Sequence, residues 1–150
     1  MGPPPKKIRI NHDDYYASLV GRTRDGRQFF ITQPFIPYLQ DFVARYLFDQ
    51  AGTCIDVKVH DLGVRATGEP PGNALLNNDK AEQIQRTFLL ELGETELCDI
   101  EVIPFSHIEY GTTFGLIIDP PVEPDGKWSV VAEPGNYMAF YPPWDGDYYT

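Results

Sequence analysis

Nucleophilic catalysis needs a nucleophile held against a base that takes its proton. Ser18, Ser106 and Ser129 are the serines of this 150-residue chain, and none sits in a G-x-S-x-G elbow. Cys54 and Cys98, with His12, His60 and His107, supply the residue types of a thiol–imidazole pair. Both cysteines fall where strand-like runs begin, and there a free thiol packs as a small apolar side chain. Neither G-x-x-x-x-G-K-[ST] nor G-x-G-x-x-G occurs, so a phosphate cradle and a dinucleotide fold are not expected.

Metal chemistry is written no more clearly. The histidines show no H-x-H or H-E-x-x-H spacing, and two distant cysteines make no C-x-x-C site. In His12-Asp13-Asp14 the carboxylates suit a turn, where Asp accepts hydrogen bonds from backbone N–H groups a few residues on. Asp119…Glu123…Asp125-Gly126 and Asp145-Gly146-Asp147 are fragments of a calcium loop without its full ligand run. The sequence predicts no catalytic residue, no cofactor and no metal site.

The C-terminus offers a different chemistry, that of contact. Tyr137, Phe140, Tyr141, Trp144, Tyr148 and Tyr149 crowd the last fourteen residues, with Asp145 and Asp147 between them. A tail this aromatic either clamps back on the domain or anchors a partner, since Trp and Tyr give large rigid contact area with a polar tip. Tyr137, Phe140, Trp144, Asp145, Asp147 and Tyr148 are the candidate partner-binding residues.

Charge says what kind of partner. From Met1 to Arg86 eleven bases face ten acids, a net of +1, while Thr87–Thr150 holds twelve acids and the single base Lys127, a net of −11. Lys and Arg carry the non-specific grip on phosphate, so a formal charge of −10 argues against direct nucleic-acid binding. Arg22, Arg24 and Arg27 flank Asp25-Gly26 and read as a solvated hairpin tip. An acidic surface of this kind steers a basic partner protein toward it.

The elements that must position these groups are mostly strands. Tyr15–Arg22 and Arg27–Thr32 read as a hairpin about Asp25-Gly26, and Phe42–Phe48 with Thr53–Val59 as a second about Asp49–Gly52. Pro34 and Pro37 make Gln33–Gln40 a loop or strand edge, and Asp61–Gly72 reads as a loop. Ala81, Ile84, Phe88, Leu89 and Leu92 form one apolar stripe, predicting a helix over Asn78–Leu92 closed by Gly93. Strands recur at Asp99–Ile103, Ile108–Tyr110, Thr113–Ile118, Lys127–Glu133 and Asn136–Tyr141, the last two about Pro134-Gly135. The expected architecture is one α+β domain over residues 1–150. It has an antiparallel sheet of seven to eight strands in hairpins, the helix on one face, and residues 1–10 as a Pro-led arm. No window approaches the length of a membrane span, and no apolar stretch follows Lys6-Lys7, so the chain reads as cytoplasmic.

Several of these segments carry a resemblance. Ile8-Arg9-Ile10-Asn11-His12-Asp13-Asp14, Gly21 with Asp25-Gly26-Arg27-Gln28-Phe29, and Leu47–Gly52 come in that order. Thr113-Phe114-Gly115-Leu116-Ile117, Met138-Ala139-Phe140 and Pro143-Trp144-Asp145-Gly146-Asp147-Tyr148 follow. This order resembles a family of small bacterial proteins labelled formate-hydrogenlyase regulatory (repressor) protein. The resemblance implies a regulator without known catalysis, acting on transcriptional control of hydrogenase genes. With no helix-turn-helix pattern, such a regulator would act through protein–protein contact. The reading is therefore a non-catalytic, acidic interaction protein. Its rivals are a small-molecule binder or enzyme with a pocket near Gln33–Gln40 and Pro120–Pro124, and an immunity-type protein that neutralises a basic toxin.

Overall fold

A computed structural model describes residues 2–64, 78–135 and 138–150. Among the described residues there are one helix and thirteen strands in three antiparallel sheets, where the sequence predicted one sheet of seven to eight strands. The α+β class and the antiparallel pairing hold. The extra strands are runs of two or three residues, too short to show any alternation of apolar and polar side chains.

The first sheet has the order β4-β5-β3-β2-β7, with β6 on the other edge of β5. Its strands are β2 (Val20–Thr23), β3 (Gln28–Thr32), β4 (Phe35–Ile36), β5 (Gln40–Phe48), β6 (Cys54–Val64) and β7 (Thr95–Leu97). The Asp25-Gly26 and Asp49–Gly52 turns join β2 to β3 and β5 to β6, with Gly26 N–H donating to Thr23 O and Gly52 N–H to Asp49 O. The predicted strand at Tyr15 begins only at Val20. Asp13 Oδ1 accepts the N–H groups of Tyr15 (2.9 Å) and Ala17 (3.0 Å), which winds this stretch into a turn.

Helix α1 (Asn78–Glu91) lies over β3, β5 and β6. Ala81 and Phe88 are buried and Ile84, Leu89 and Leu92 half-buried against Phe29, Ile31, Val43, Leu47 and Leu62. Gly93 follows at φ 79°, the left-handed residue that closes a helix without a Cβ penalty. The opposite faces of β3 and β5 carry Phe30, Phe42, Ala44, Tyr46 and Phe48, and they too are buried. Both faces are apolar because the sheet is a middle layer.

The third layer is the second sheet, β13-β12-β11-β10-β9. It is built from β9 (Phe105–Glu109), β10 (Thr112–Asp119), β11 (Ser129–Glu133), β12 (Ala139–Phe140) and β13 (Tyr148–Tyr149). Phe114, Leu116, Val130, Ala132, Met138 and Phe140 project from it into the shared core. A ribbon of β1 (Ile8–Ile10) and β8 (Ile100–Val102) adds Ile8, Ile10, Ile100 and Val102 to the same cluster. The end of the predicted N-terminal arm is thus a buried strand. Full burial of each ring or branched aliphatic contributes about 1.5–3 kcal/mol, so the interlayer core dominates stability. Of the loop predicted at Asp61–Gly72, residues 61–64 are instead the end of β6, paired with the start of β5, and the rest lies outside the described residues. Among the described residues no helix is long and apolar enough to cross a membrane.

Candidate functional site

The two ends of the chain meet, and Asn11 joins them. Its N–H donates to Gly146 O at 3.1 Å, and its Nδ2 donates to Asp145 O (3.1 Å) and Asp147 Oδ1 (3.0 Å). Its Oδ1 in turn accepts Arg9 Nε–H at 2.8 Å. Gly146 sits at φ 98°, and a Cβ there would stand 2.4 Å from Asn11 Oδ1, so only glycine lets the tail pass this close. Beside Asn11, Asp99 accepts the His12 N–H and Arg9 Nη2, both at 2.8 Å. The His12 N–H and then Arg9 hold the Asp99 carboxyl below its usual range.

Tyr148 makes the second fastening. Its hydroxyl donates to Asp13 Oδ2 and accepts the Tyr16 N–H at 3.1 Å. Burial and then the Asp13 hydrogen bond push the phenol up to about 12. Burial works to raise Asp13, but the hydrogen bonds from Tyr148, Tyr15 and Ala17 outweigh it and leave the carboxyl below its ordinary value. The ring packs 5.9 Å from Phe140 and 6.4 Å from Tyr16, centroid to centroid. Asn11, His12, Asp13, Gly146, Asp147 and Tyr148 line a cleft of about 370 Å³.

The sequence-predicted contact residues divide between support and surface. Phe140 is 1% exposed in the core and holds the tail from beneath. Tyr148 is half-buried in the clamp just described. Asp145 and Asp147 are exposed, though Asp147 Oδ1 is committed to Asn11. Trp144 is half-buried at φ 64°, packed on the core by one side and facing a second cleft with the other. Tyr137 lies outside the described residues.

That second cleft, of about 480 Å³, was not legible in the sequence. Trp128, Trp144, Pro142, Gly126 and Lys127 line it together with the Gly2-Pro3-Pro4-Pro5 segment. Trp128 Nε1–H donates to Gly2 O at 2.8 Å across it. The signals available were a Pro-rich run and two tryptophans in the same chain, too little to pair them. The cleft starts at the end of the Pro120–Pro124 turn, which closes with Gly126 N–H donating to Glu123 O at 2.9 Å. Gln33–Gln40 instead abuts the turn after β11, with Phe35 N–H on Pro134 O at 3.1 Å.

The nucleophile question has a geometric answer at one place. Cys54, Asp56, Ser106 and His107 line a common cleft between the N-terminal ends of β6 and β9. Burial pushes the Cys54 thiol up to about 11, opposite to the shift that activates a nucleophile. His107 Nε2 bonds Glu109 Oε1 at 2.8 Å, and the Cys54 sulfur lies 3.9 Å from Asp56 O. Among the described residues no three His, Cys, Asp or Glu side chains gather closely enough to hold a metal ion.

The charged groups complete the surface. Arg24 and Arg27 pair with Glu94 (3.4 Å) and Asp25 (3.0 Å), and Lys58 with Glu91 (2.9 Å). Asp119, Glu123 and Asp125 are exposed and have no cationic partner among the described residues. Burial and the charge of Asp119 raise Glu133, against a backbone hydrogen bond from Gly135. Between the acids of this turn Val122 is 99% exposed. No family model, curated protein or solved structure matches the chain.

Proposed function

We propose that this protein is a non-catalytic interaction module that binds a basic surface of another protein. The observation that carries the reading is the turn between β10 and β11. There Asp119, Glu123 and Asp125 flank the exposed Val122 in sequence, and none of the three forms an ion pair among the described residues. Pro120, Pro121 and Pro124 stiffen this turn, so little conformational freedom is lost when a partner seats on it. Carboxylates set around a small apolar anchor favour a partner whose Lys or Arg residues ring a shallow pocket. Long-range attraction speeds the encounter, and Val122 supplies area that salt does not screen.

A regulator acting in this way would occupy the basic surface by which another protein holds nucleic acid. This agrees with the repressor-like resemblance, and a cytoplasmic regulatory role belongs to the same proposal. The test is affinity capture from a cell extract at 20 and 300 mM salt. The wild-type chain is run beside one carrying Asp119→Asn, Glu123→Gln and Asp125→Asn. A protein retained at low salt, released at high salt and lost by the triple variant supports the proposal. Equal retention by both chains, or retention indifferent to salt, overturns it.

A further inference from the structure

We propose that the cleft between Trp128, Trp144 and Pro142 is a docking groove for an extended proline-rich segment followed by basic residues. The chain's own Gly2–Pro5 would lie along it in the ligand's place. This rests on reading the protein as an interaction module and names the chemistry of one class of partner.

Three features of the cleft converge on that ligand. Trp128 directs its indole N–H at a main-chain carbonyl, Gly2 O, at 2.8 Å. A polyproline II strand makes no internal hydrogen bonds and offers such carbonyls about every 3.1 Å. The walls are two half-buried indoles and Pro142, flat apolar surfaces against which pyrrolidine rings pack. Finally, Pro3 and Pro4 each precede a proline, and ring closure with this steric rule confines both to extended backbone before any contact forms. A ligand so constrained loses little entropy on binding.

Charge sets the direction and the flank. In the chain's own segment Lys6 and Lys7 follow the prolines at once. Two of its lining residues have exposed acidic neighbours in sequence, Asp125 before Gly126 and Asp145 after Trp144, and Lys127 is the cation of the lining. Gly2, Pro3 and Pro4 are themselves exposed, so a competing segment displaces little packing when it takes their place.

The experiment titrates the full chain with a blocked peptide of four prolines followed by two lysines, against one with alanines in place of the prolines. Indole N–H cross-peaks and tryptophan emission report the binding. The proline peptide should shift the Trp128 indole resonance saturably, and the alanine peptide, equal in charge, should not. Trp128→Phe keeps a ring but loses the donor; compared in chains lacking residues 2–5, where no internal segment loses the same bond, it should weaken binding on the order of fivefold with the melting temperature little changed. Removing residues 2–5 should tighten binding, since the internal competitor is gone. No saturable shift at millimolar peptide, equal shifts with both peptides, or unchanged affinity in Trp128→Phe would each overturn the groove. Salt-sensitive capture through Asp119, Glu123 and Asp125 would still stand in those cases. Its loss while the proline peptide binds would sink the broader reading alone.

Discussion

Replacing Tyr148 with Phe tests whether the tail is fastened by chemistry or only by shape. The substitution keeps the ring that packs near Phe140 and Tyr16 and deletes one oxygen. That oxygen donates to the Asp13 carboxylate and accepts the Tyr16 N–H. A hydrogen bond to an ionised partner is worth about 1.5–3 kcal/mol, and partial exposure reduces this to about 1–2 kcal/mol here. For a chain of this size the melting temperature should fall by about 3–6 °C at pH 7. The pH profile is more discriminating. Tyr148 is raised from 10.0 to about 12 in the folded state. Its contribution is complete below pH 10 and is lost as pH climbs from 10 toward 12. Asp13 is lowered, so its contribution is complete above its usual 3.8 and is lost as pH falls through the folded value. Tyr148→Phe should therefore lose less stability than the wild type between pH 10 and 11.5. It should also lose less on acidification, because Tyr148 is one of the groups that lower Asp13. Tyr46, which is also raised, is present in both proteins and cancels in the difference. Melting temperatures within 1 °C at pH 7, with superimposable alkaline limbs, would refute the clamp.

Tyr46→Phe should behave in the opposite way. The Tyr46 hydroxyl is buried with no hydrogen-bond partner among the described residues, so its removal should leave the melting temperature unchanged or raise it by up to about 4 °C, and a fall beyond 2 °C would contradict this geometry. Cys54, with its thiol near 11, should react with iodoacetamide at pH 8 roughly a hundredfold more slowly than an unhindered thiol of pKa 9, as followed by mass spectrometry. Labelling at the rate of a free peptide thiol would reopen the nucleophile question.

What could be read from the sequence was local. The Asp25-Gly26 and Asp49–Gly52 turns and the Ala81–Phe88 stripe with Gly93 each depend on residues a few positions apart, and they fold as read. The middle-layer character of β5 was visible only as a run, Phe42–Phe48, that is apolar but for Arg45 and fits one covered face or two. The ribbon partner of Ile8–Ile10 is 90 positions or more away, so a strand there looks like an arm. The same holds for the site. Trp144 and Tyr148 announced themselves as aromatics, but Asn11 gained its role from carbonyl and carboxylate groups 134 and 136 positions distant. Trp128 gained its role from Gly2, 126 positions away. A polar side chain's partners are set by chain closure, which hydrophobic period does not encode.

That closure also bears on how binding and stability divide in this fold. Asn11 and Tyr148 hold the tail through groups turned inward, and Phe140 supports it from the core. The same tail turns one side of Trp144 toward the Trp128 groove, and the acidic turn runs directly into Gly126 and Lys127 of its wall. Under the proposed docking, fastening and recognition use different atoms of one segment. A partner need not open the clamp to bind, so the cost of ordering the tail is already met in the folded chain. Loosening the clamp should then weaken docking in proportion to the fraction of molecules whose tail is displaced. The Tyr148→Phe protein should bind the proline peptide almost as tightly as wild type at 25 °C and lose it at a lower temperature. Equal temperature dependence in the two proteins would mean that groove and clamp are independent.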